Sequence, residues 1–255
     1  MQAVTFDFGN TLIRFRDREH HEVLRRFHSF VQRHVAACGL DDMVSLYTRI
    51  MNAQYAVYHP QQIENDMHER LAFLFWKLQG NPPTPDLVAA GMAAHCAAVV
   101  DTLVPPPDLK PVLTQLAREY KLGVISNYPY YEAIPAVLAA AGVRDLFGSI
   151  VVSAAVGTFK PNRRIFAIAA EELQVPLDGI IHVGDDIAAD VVGAAAAGAR
   201  AVYTREFVDD SHGQFLRYDK TELPDGTRTI DALAQLPALL AELAQSGCVA
   251  GEGDA

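Results

Sequence analysis

Four segments in the first hundred residues place apolar side chains at three- and four-residue steps, the period of a helix with one buried face. In residues 19–38 these are Val23, Leu24, Phe27, Phe30, Val31 and Val35, and Gly39 follows where a helix C-cap glycine is expected. Residues 42–58 repeat the pattern with Val44, Tyr47, Ile50, Met51 and Tyr55, and residues 65–78 with Leu71, Leu74, Phe75 and Leu78. The run Gly80-Asn-Pro-Pro-Thr-Pro85 interrupts it, and Thr84 or Asp86 can cap a fourth helix reaching about Leu103. Pro105-Pro106-Pro107 then ends the block.

From residue 108 the rhythm changes. Helical patterns at 109–120, 132–141, 164–173 and 187–197 alternate with short buried runs at 122–126, 149–152, 179–183 and 200–203. Strands separated by helices imply right-handed crossovers and a parallel sheet. A first run, Ala3 to Phe6, precedes the helical block and belongs to the same sheet, which makes the block an insertion. Residues 209–229 are polar and turn-rich, so a loop is expected there. A last amphipathic helix is expected over 230–243, followed by a frayed tail.

The chain has 255 residues, enough to bury a large core. Half of its residues are hydrophobic and a fifth charged, the balance of a globular protein. A net charge of -10 argues against a nucleic-acid surface, which needs clustered Lys and Arg. If the substrate is an anion, positive charge must therefore be supplied locally. Cys38, Cys96 and Cys248 are odd in number and widely spaced, so neither a disulfide framework nor a zinc site is indicated, and a reducing cytoplasm is expected. No basic region precedes the first apolar run, and no stretch reaches the roughly 20 apolar residues of a membrane span.

Four polar sets follow these strands. Asp7 stands at the end of the first run, with Gly9 and Asn10 tolerating the turn behind it. Ser126-Asn127 ends a second strand, Lys160 lies in Gly157-Thr-Phe-Lys-Pro161, and Gly184-Asp185-Asp186 ends another, with Asp190 beyond. In an open parallel sheet the carboxyl ends of the strands border the ligand crevice, so these groups converge on one edge. Singly, each has a bland reading as a cap, a solvated lysine or a turn. Together, carboxylates held close repel unless a hard divalent cation, most plausibly Mg²⁺, lies among them. Such a cation also offsets the charge of an incoming phosphate. Lys160 adds a second positive point, and the Ser126 hydroxyl can bind phosphoryl oxygens. Asp7 beside that cage can attack phosphorus.

The order Asp7-x-x-x-Thr11, Ser126, Lys160-Pro161 and Gly184-Asp185-Asp186-x-x-x-Asp190-x-x-Gly193-Ala194-x-x-Ala197-Gly198 resembles the four motifs of the haloacid dehalogenase-like hydrolase superfamily, in its subgroup with a helical cap inserted after the first motif. The resemblance implies an α/β fold, a three-layer doubly wound parallel sheet with a Rossmann-like core and an inserted α-helical cap domain. Residues 1–14 and 104–245 would form the core, 15–103 the cap and 246–255 a disordered tail. It makes Asp7 the nucleophile of a Mg²⁺-dependent phosphatase. Ser126 and Lys160 would assist as catalytic phosphate binders, and Ser126, Asn127, Lys160 and Asn10 would contact a small phosphorylated substrate. Metal ligation would fall to Asp7, the main-chain carbonyl of Gly9 and Asp185, with Asp186 and Asp190 binding or orienting its water shell. A cytoplasmic monomer or homodimer, binding neither nucleic acid nor membrane, is the corresponding expectation.

One position departs from the pattern. Most phosphatases of that family carry a second Asp two residues after the nucleophile, as general acid and base, and this chain has Gly9. Two other readings therefore stand beside the first. A non-catalytic module that binds a phosphorylated ligand or a partner needs no acid. A 2-haloacid dehalogenase releases halide without a proton, although those enzymes resemble Ser-x-Asn where this chain has Asp185-Asp186. Arg14, Arg16, Arg18, His20 and His21 follow the first motif and are read as solvated residues at a helix start. Phe73 and Trp76 are read as cap core.

Overall fold

The computed structural model describes residues 1–208 and 221–248. Strand β1 (Ala3–Phe6) is followed by four helices, α1 (Asp17–His34), α2 (Leu40–Tyr58), α3 (Met67–Gln79) and α4 (Pro85–Thr102), before any further strand is formed. Then come α5 (Leu109–Leu116), β2 (Lys121–Ser126), α6 (Ala133–Ala140), β3 (Phe147–Val152), the short α7 (Ser153–Val156) and α8 (Arg163–Leu173). Strand β4 (Ile180–Gly184) leads through a π-helical stretch, Ile187–Val192, into α9 (Gly193–Ala197) and β5 (Arg200–Thr204). Strand β6 (Arg228–Ile230) and α10 (Leu236–Cys248) complete the described chain.

All six strands are parallel, in the order β3-β2-β1-β4-β5-β6. Alternate residues of the central strands bury on opposite faces. Val4, Phe6, Val124, Ile181 and Val183 pack with Leu113 of α5, Leu138 of α6 and Leu240 of α10. Ala3, Ile125, Val151 and Ile180 pack with Ile165 and Phe166 of α8 and Ala194 of α9. Helices thus cover both faces of the sheet. The strand order reverses between β1 and β4, which run parallel, and the crevice outside their carboxyl ends is where an open sheet takes ligands.

The inserted helices pack through the faces that the sequence pattern marks. Val23, Leu24, Phe27 and Val31 of α1, Leu71, Leu74 and Phe75 of α3, and Val88, Ala98 and Val99 of α4 are buried in a cluster continuous with the first sheet face. The α2–α3 connection is tied to the α/β part by Asn162 Nδ2 donating to Gln62 Oε1 at 2.6 Å and by Ser153 Oγ donating to Glu64. The His59 ring also stacks on Phe159 at 5.1 Å.

Several details differ from expectation. Helix α1 stops at His34, and Gly39 is the N-cap of α2 in extended conformation, because residues 36–39 form a separate connector. Phe73 and Trp76 are 38% and 41% exposed, not core, because Met67, Leu71 and Leu74 define the inward face of α3. Lys77 lies over both rings, 5.0 and 4.8 Å from their centroids. Ile230, expected in the last helix, belongs to β6, whose residues Arg228 and Thr229 were expected in a loop; pairing with Val202, Tyr203 and Thr204 makes them a strand. Residues 221–227 of that expected loop form no helix or strand, while 209–220 lie outside the described residues, as does the tail beyond 248. Helix α10 runs to Cys248, past the expected start of the tail. Among the described residues, no helix is long and apolar enough to cross a membrane. Cys38 and Cys96 are free.

Candidate active site

Sheet register brings the polar strand ends together. Phe6 pairs with Val124 on one side and Val183 on the other, and Asp7 N donates to Val183 O at 2.8 Å, so Asp7 emerges between β2 and β4. Immediately afterwards the chain turns back. Asn10 adopts a left-handed conformation at φ 58°, which Asn accepts more readily than most residues, and Phe15 N donates to its Oδ1 at 3.0 Å.

Lys160 Nζ lies 2.6 Å from Asp7 Oδ1 and 2.7 Å from Asp190 Oδ1, and the residue is only 2% exposed. Asn127 holds it there from β2, its Nδ2 donating to Lys160 O at 2.9 Å and its Oδ1 accepting from Lys160 N at 2.8 Å. A side-chain amide engaged with both the N–H and the C=O of one residue fixes the backbone from which the ammonium extends. Asp190 is satisfied by protein donors alone. Lys160 and His182 Nε2 (3.2 Å) reach its Oδ1, and Asp186 N donates to its Oδ2 at 3.0 Å. Because the carboxylate only accepts, Nε2 carries the imidazole proton, and Nδ1 accepts from Thr5 Oγ1 at 2.9 Å. A Cβ on Gly184 would stand 2.2 Å from Asp190 Cγ, so this approach needs glycine.

Burial and charge set the ionisation of these groups. Burial pushes Asp7 up to about 7, with Lys160 opposing and the Asp190 charge adding to it. Burial also disfavours the Asp190 carboxylate, but Lys160 and His182 outweigh it and hold the group below the ordinary range. For Lys160, burial is outweighed by Asp190 and Asp7, which hold the ammonium firmly charged. Asp186 is pushed up to about 6 by burial and then by Asp190. Its Oδ1 accepts from Ala189 N at 2.9 Å, capping the π-helical stretch.

Asp185 is buried and accepts from Thr11 Oγ1 at 3.3 Å. One carboxylate oxygen from each of Asp7, Asp185 and Asp190 can be chosen so that all lie within 4.8 Å of one another. A hard all-oxygen set this tight fits a divalent cation, which would relieve their repulsion. Asp186 is not part of that set. Ser126 is buried at the end of β2, and with Asp7, Gly9, Asn10, Asn127 and Lys160 it borders a cavity of about 330 Å³ between the sheet edge and the inserted helices. That volume suits a small metabolite.

The cavity also takes in side chains that sequence reasoning missed. Tyr47, Arg70 and His95 come from α2, α3 and α4. Their signal was legible: Arg70 interrupts the apolar series Met67-Leu71-Leu74, and His95 the series Val88-Gly91-Ala98. His182 and Thr5 behind Asp190 are polar positions inside buried strands. The cluster after the first motif divides. Arg14, Arg18 and His21 are exposed, as expected. Arg16 is buried, and His20 is half-buried, stacked on Phe15 at 4.0 Å and facing the cavity. His20 alone of this cluster therefore borders the cavity, while Arg14, Arg18 and His21 face solvent. Burial lowers His20 to about 4, so it is neutral at pH 7 and has no imidazolium proton to donate.

The sequence matches the family described as haloacid dehalogenase-like hydrolase over residues 1–198. It is 29% identical over 211 residues to the glyceraldehyde 3-phosphate phosphatase of Methanopyrus kandleri, covering 80% of this chain and 84% of the relative. It is 28% identical over 255 residues to the 5-amino-6-(5-phospho-D-ribitylamino)uracil phosphatase YigB of Escherichia coli, covering 94% and 96%. The fold matches the crystal structure of a 2-haloacid dehalogenase from Pseudomonas syringae with a TM-score of 0.69, at 20% identity and over 95% of this chain and 99% of the other.

Proposed function

Because the chain belongs to the haloacid dehalogenase-like hydrolases, we propose that it is a Mg²⁺-dependent phosphatase that hydrolyses a small phosphorylated metabolite through an aspartyl-phosphate on Asp7. The observation that carries this reading is the Asp7–Lys160–Asp190 chain with Asp185 beside it, where the strand order reverses and bordering a small cavity. Phosphatases among the curated relatives, glyceraldehyde 3-phosphate being one named substrate, support the substrate class.

Asp7 supplies a carboxylate oxygen that bonds to phosphorus as the ester P–O bond breaks, and the leaving oxygen takes a proton from water. A second water then attacks phosphorus, releasing inorganic phosphate and returning the Asp7 carboxylate. Lys160 and the Ser126 hydroxyl bind the phosphoryl oxygens, and Asn127 and Asp190 keep the ammonium aimed. Asp7, Asp185 and the Gly9 carbonyl would hold Mg²⁺, with Asp186 and Asp190 orienting its surroundings; the ion supplies positive charge against that of the phosphoryl group. Four carboxylates against one ammonium would otherwise repel a phosphate. The same charge pattern disfavours a metal-free dehalogenase, whose substrate is also an anion. The inserted helices close the site and select the substrate.

The test is p-nitrophenyl phosphate hydrolysis with Mg²⁺ and with EDTA. Turnover that EDTA abolishes and Mg²⁺ restores is expected; metal-independent turnover, or none, overturns the proposal, and chloride release from 2-chloropropionate would establish the dehalogenase instead.

Gly9 makes a second prediction. A Cβ there would meet only Phe15 Cβ and Cδ1, at 3.7 and 3.9 Å, which is ordinary contact, so a side chain can start there without moving the backbone. Gly9→Asp should raise kcat for an alkyl phosphate, whose leaving group needs a proton, by about 10- to 100-fold; general acid catalysis supplies up to about 10⁴. p-Nitrophenyl phosphate should gain far less. An equal change for both substrates would show that the missing acid is not what limits this enzyme.

A further inference from the structure

Arg70 is a buried charge that no carboxylate of the described residues meets in an ion pair. It is 3% exposed, its Nε donates to Gln54 Oε1 at 2.8 Å and its Nη1 to Tyr47 OH at 3.1 Å, while Nη2 is buried with no hydrogen-bond partner. Among the described residues it forms no ion pair. Glu64, on the same cavity wall, feels the Arg70 charge through space, but its hydrogen bonds go to Ser153 Oγ and Asn65 N. A buried guanidinium with no carboxylate in contact is costly, and protein interiors seldom keep one. Beside it, His95 is also 3% exposed, with Nδ1 unpartnered and its ring parallel to Tyr47, over which the guanidinium lies at 5.4 Å. Arg70 and His95 both border the cavity whose floor is Asp7 and Lys160.

We propose that Arg70 and His95 form a second anion subsite, which binds a carboxylate carried by the substrate away from its phosphoryl group. The inference rests on the floor being the phosphoryl site. Arg70 offers the free Nη2 donors, and the neutral His95 ring donates to an oxyanion as its Nδ1–H tautomer. One positive charge balances a carboxylate, whereas a phosphate brings about −1.5 to −2. Arg70 thereby selects among phosphate esters without touching the reacting atoms.

Titration calorimetry in Mg²⁺ buffer tests this without turnover, using ω-phosphonocarboxylates of three to six carbons beside alkylphosphonates of matched length. In the wild type at least one carboxylate should bind about 10- to 100-fold tighter than its matched alkylphosphonate, the range of a charged hydrogen-bonded contact. Arg70→Met should bring that ratio to about one, and Arg70→Lys should recover part of it. Arg70→Gln, which keeps amide donors without charge, serves if the Met variant does not fold. A wild-type ratio near one at every length, or a ratio that survives Arg70→Met, overturns the inference while alkylphosphonate binding leaves the phosphatase reading standing. Arg70-dependent preference for alkane bisphosphonates over the carboxylates would make the second anion a phosphate and overturn the carboxylate assignment. If no alkylphosphonate binds, the phosphoryl site fails, and this subsite with it.

Discussion

Asp7→Asn is expected to lower kcat for p-nitrophenyl phosphate by about 10⁴-fold or more, the scale of removing an attacking nucleophile, while leaving the protein folded. Asparagine keeps the shape of the side chain but is not a carboxylate nucleophile. Stability should move the other way. The native state pushes Asp7 up to about 7 from 3.8, chiefly by burial, so the ionised form is less welcome in the folded than in the unfolded chain. A carboxyl raised in this way leaves stability intact below about 4 and removes it as pH rises towards 7. The neutral amide of the Asp7→Asn variant escapes that loss, so in EDTA at pH 8 the variant should melt at or above the wild-type temperature. Loss of activity together with a lower melting temperature would point to a structural role for Asp7 and count against the nucleophile assignment.

Lys160→Met should be the most destabilising change at the site. It removes the cation lying 2.6 Å from Asp7 and 2.7 Å from Asp190 and leaves both acids without it in a buried setting. Breaking a buried pair by deleting one partner costs about 3–5 kcal/mol, and at about 2–4 °C per kcal/mol for a chain of this size the melting temperature should fall by about 6–20 °C. The sign of its pH dependence is diagnostic. In the wild type Asp190 is held below its ordinary value, so its contribution is present above about 4 and lost in acid. In the variant the abandoned carboxylates take up protons more readily, which relieves their repulsion as pH falls. The gap between the two proteins should be widest near pH 8 and narrow towards pH 5; a gap that does not change with pH would mean Lys160 contributes packing rather than charge. Turnover should fall about 10²- to 10³-fold, the cost of losing one preorganised electrostatic contact.

Much of this site was legible in the sequence. Asp7 and Asp185 follow short buried runs, Ser126 ends one and Lys160 lies in the loop leaving another, and in a parallel sheet all strand ends of one polarity share an edge, so residues as far apart in the chain as Asp7 and Asp185 had to meet. What could not be read is which acid each cation faces. Asp190 is in the fourth motif, yet its partners Lys160, His182 and, behind His182, Thr5 come from a loop and two strands, and only the packing at Gly184 shows why the carboxyl can reach them.

The inserted helices divide in the same way. Periodicity marked α1 to α4 because one apolar face per helix is a local property, recoverable from spacing alone. Whether Arg70 on such a face meets a carboxylate, water or a cavity depends on α2 and α4, and whether Phe73 and Trp76 are covered depends on how α3 rolls against them. Composition and pattern therefore determined the α/β alternation, the insertion and the sheet edge at which the polar strand ends of this protein meet. The tertiary structure alone decided the Lys160 pairing, the cavity and the burial of Arg70 without an ion pair, because electrostatic partners and voids arise from contacts between segments whose separation along the chain carries no record of their distance in space.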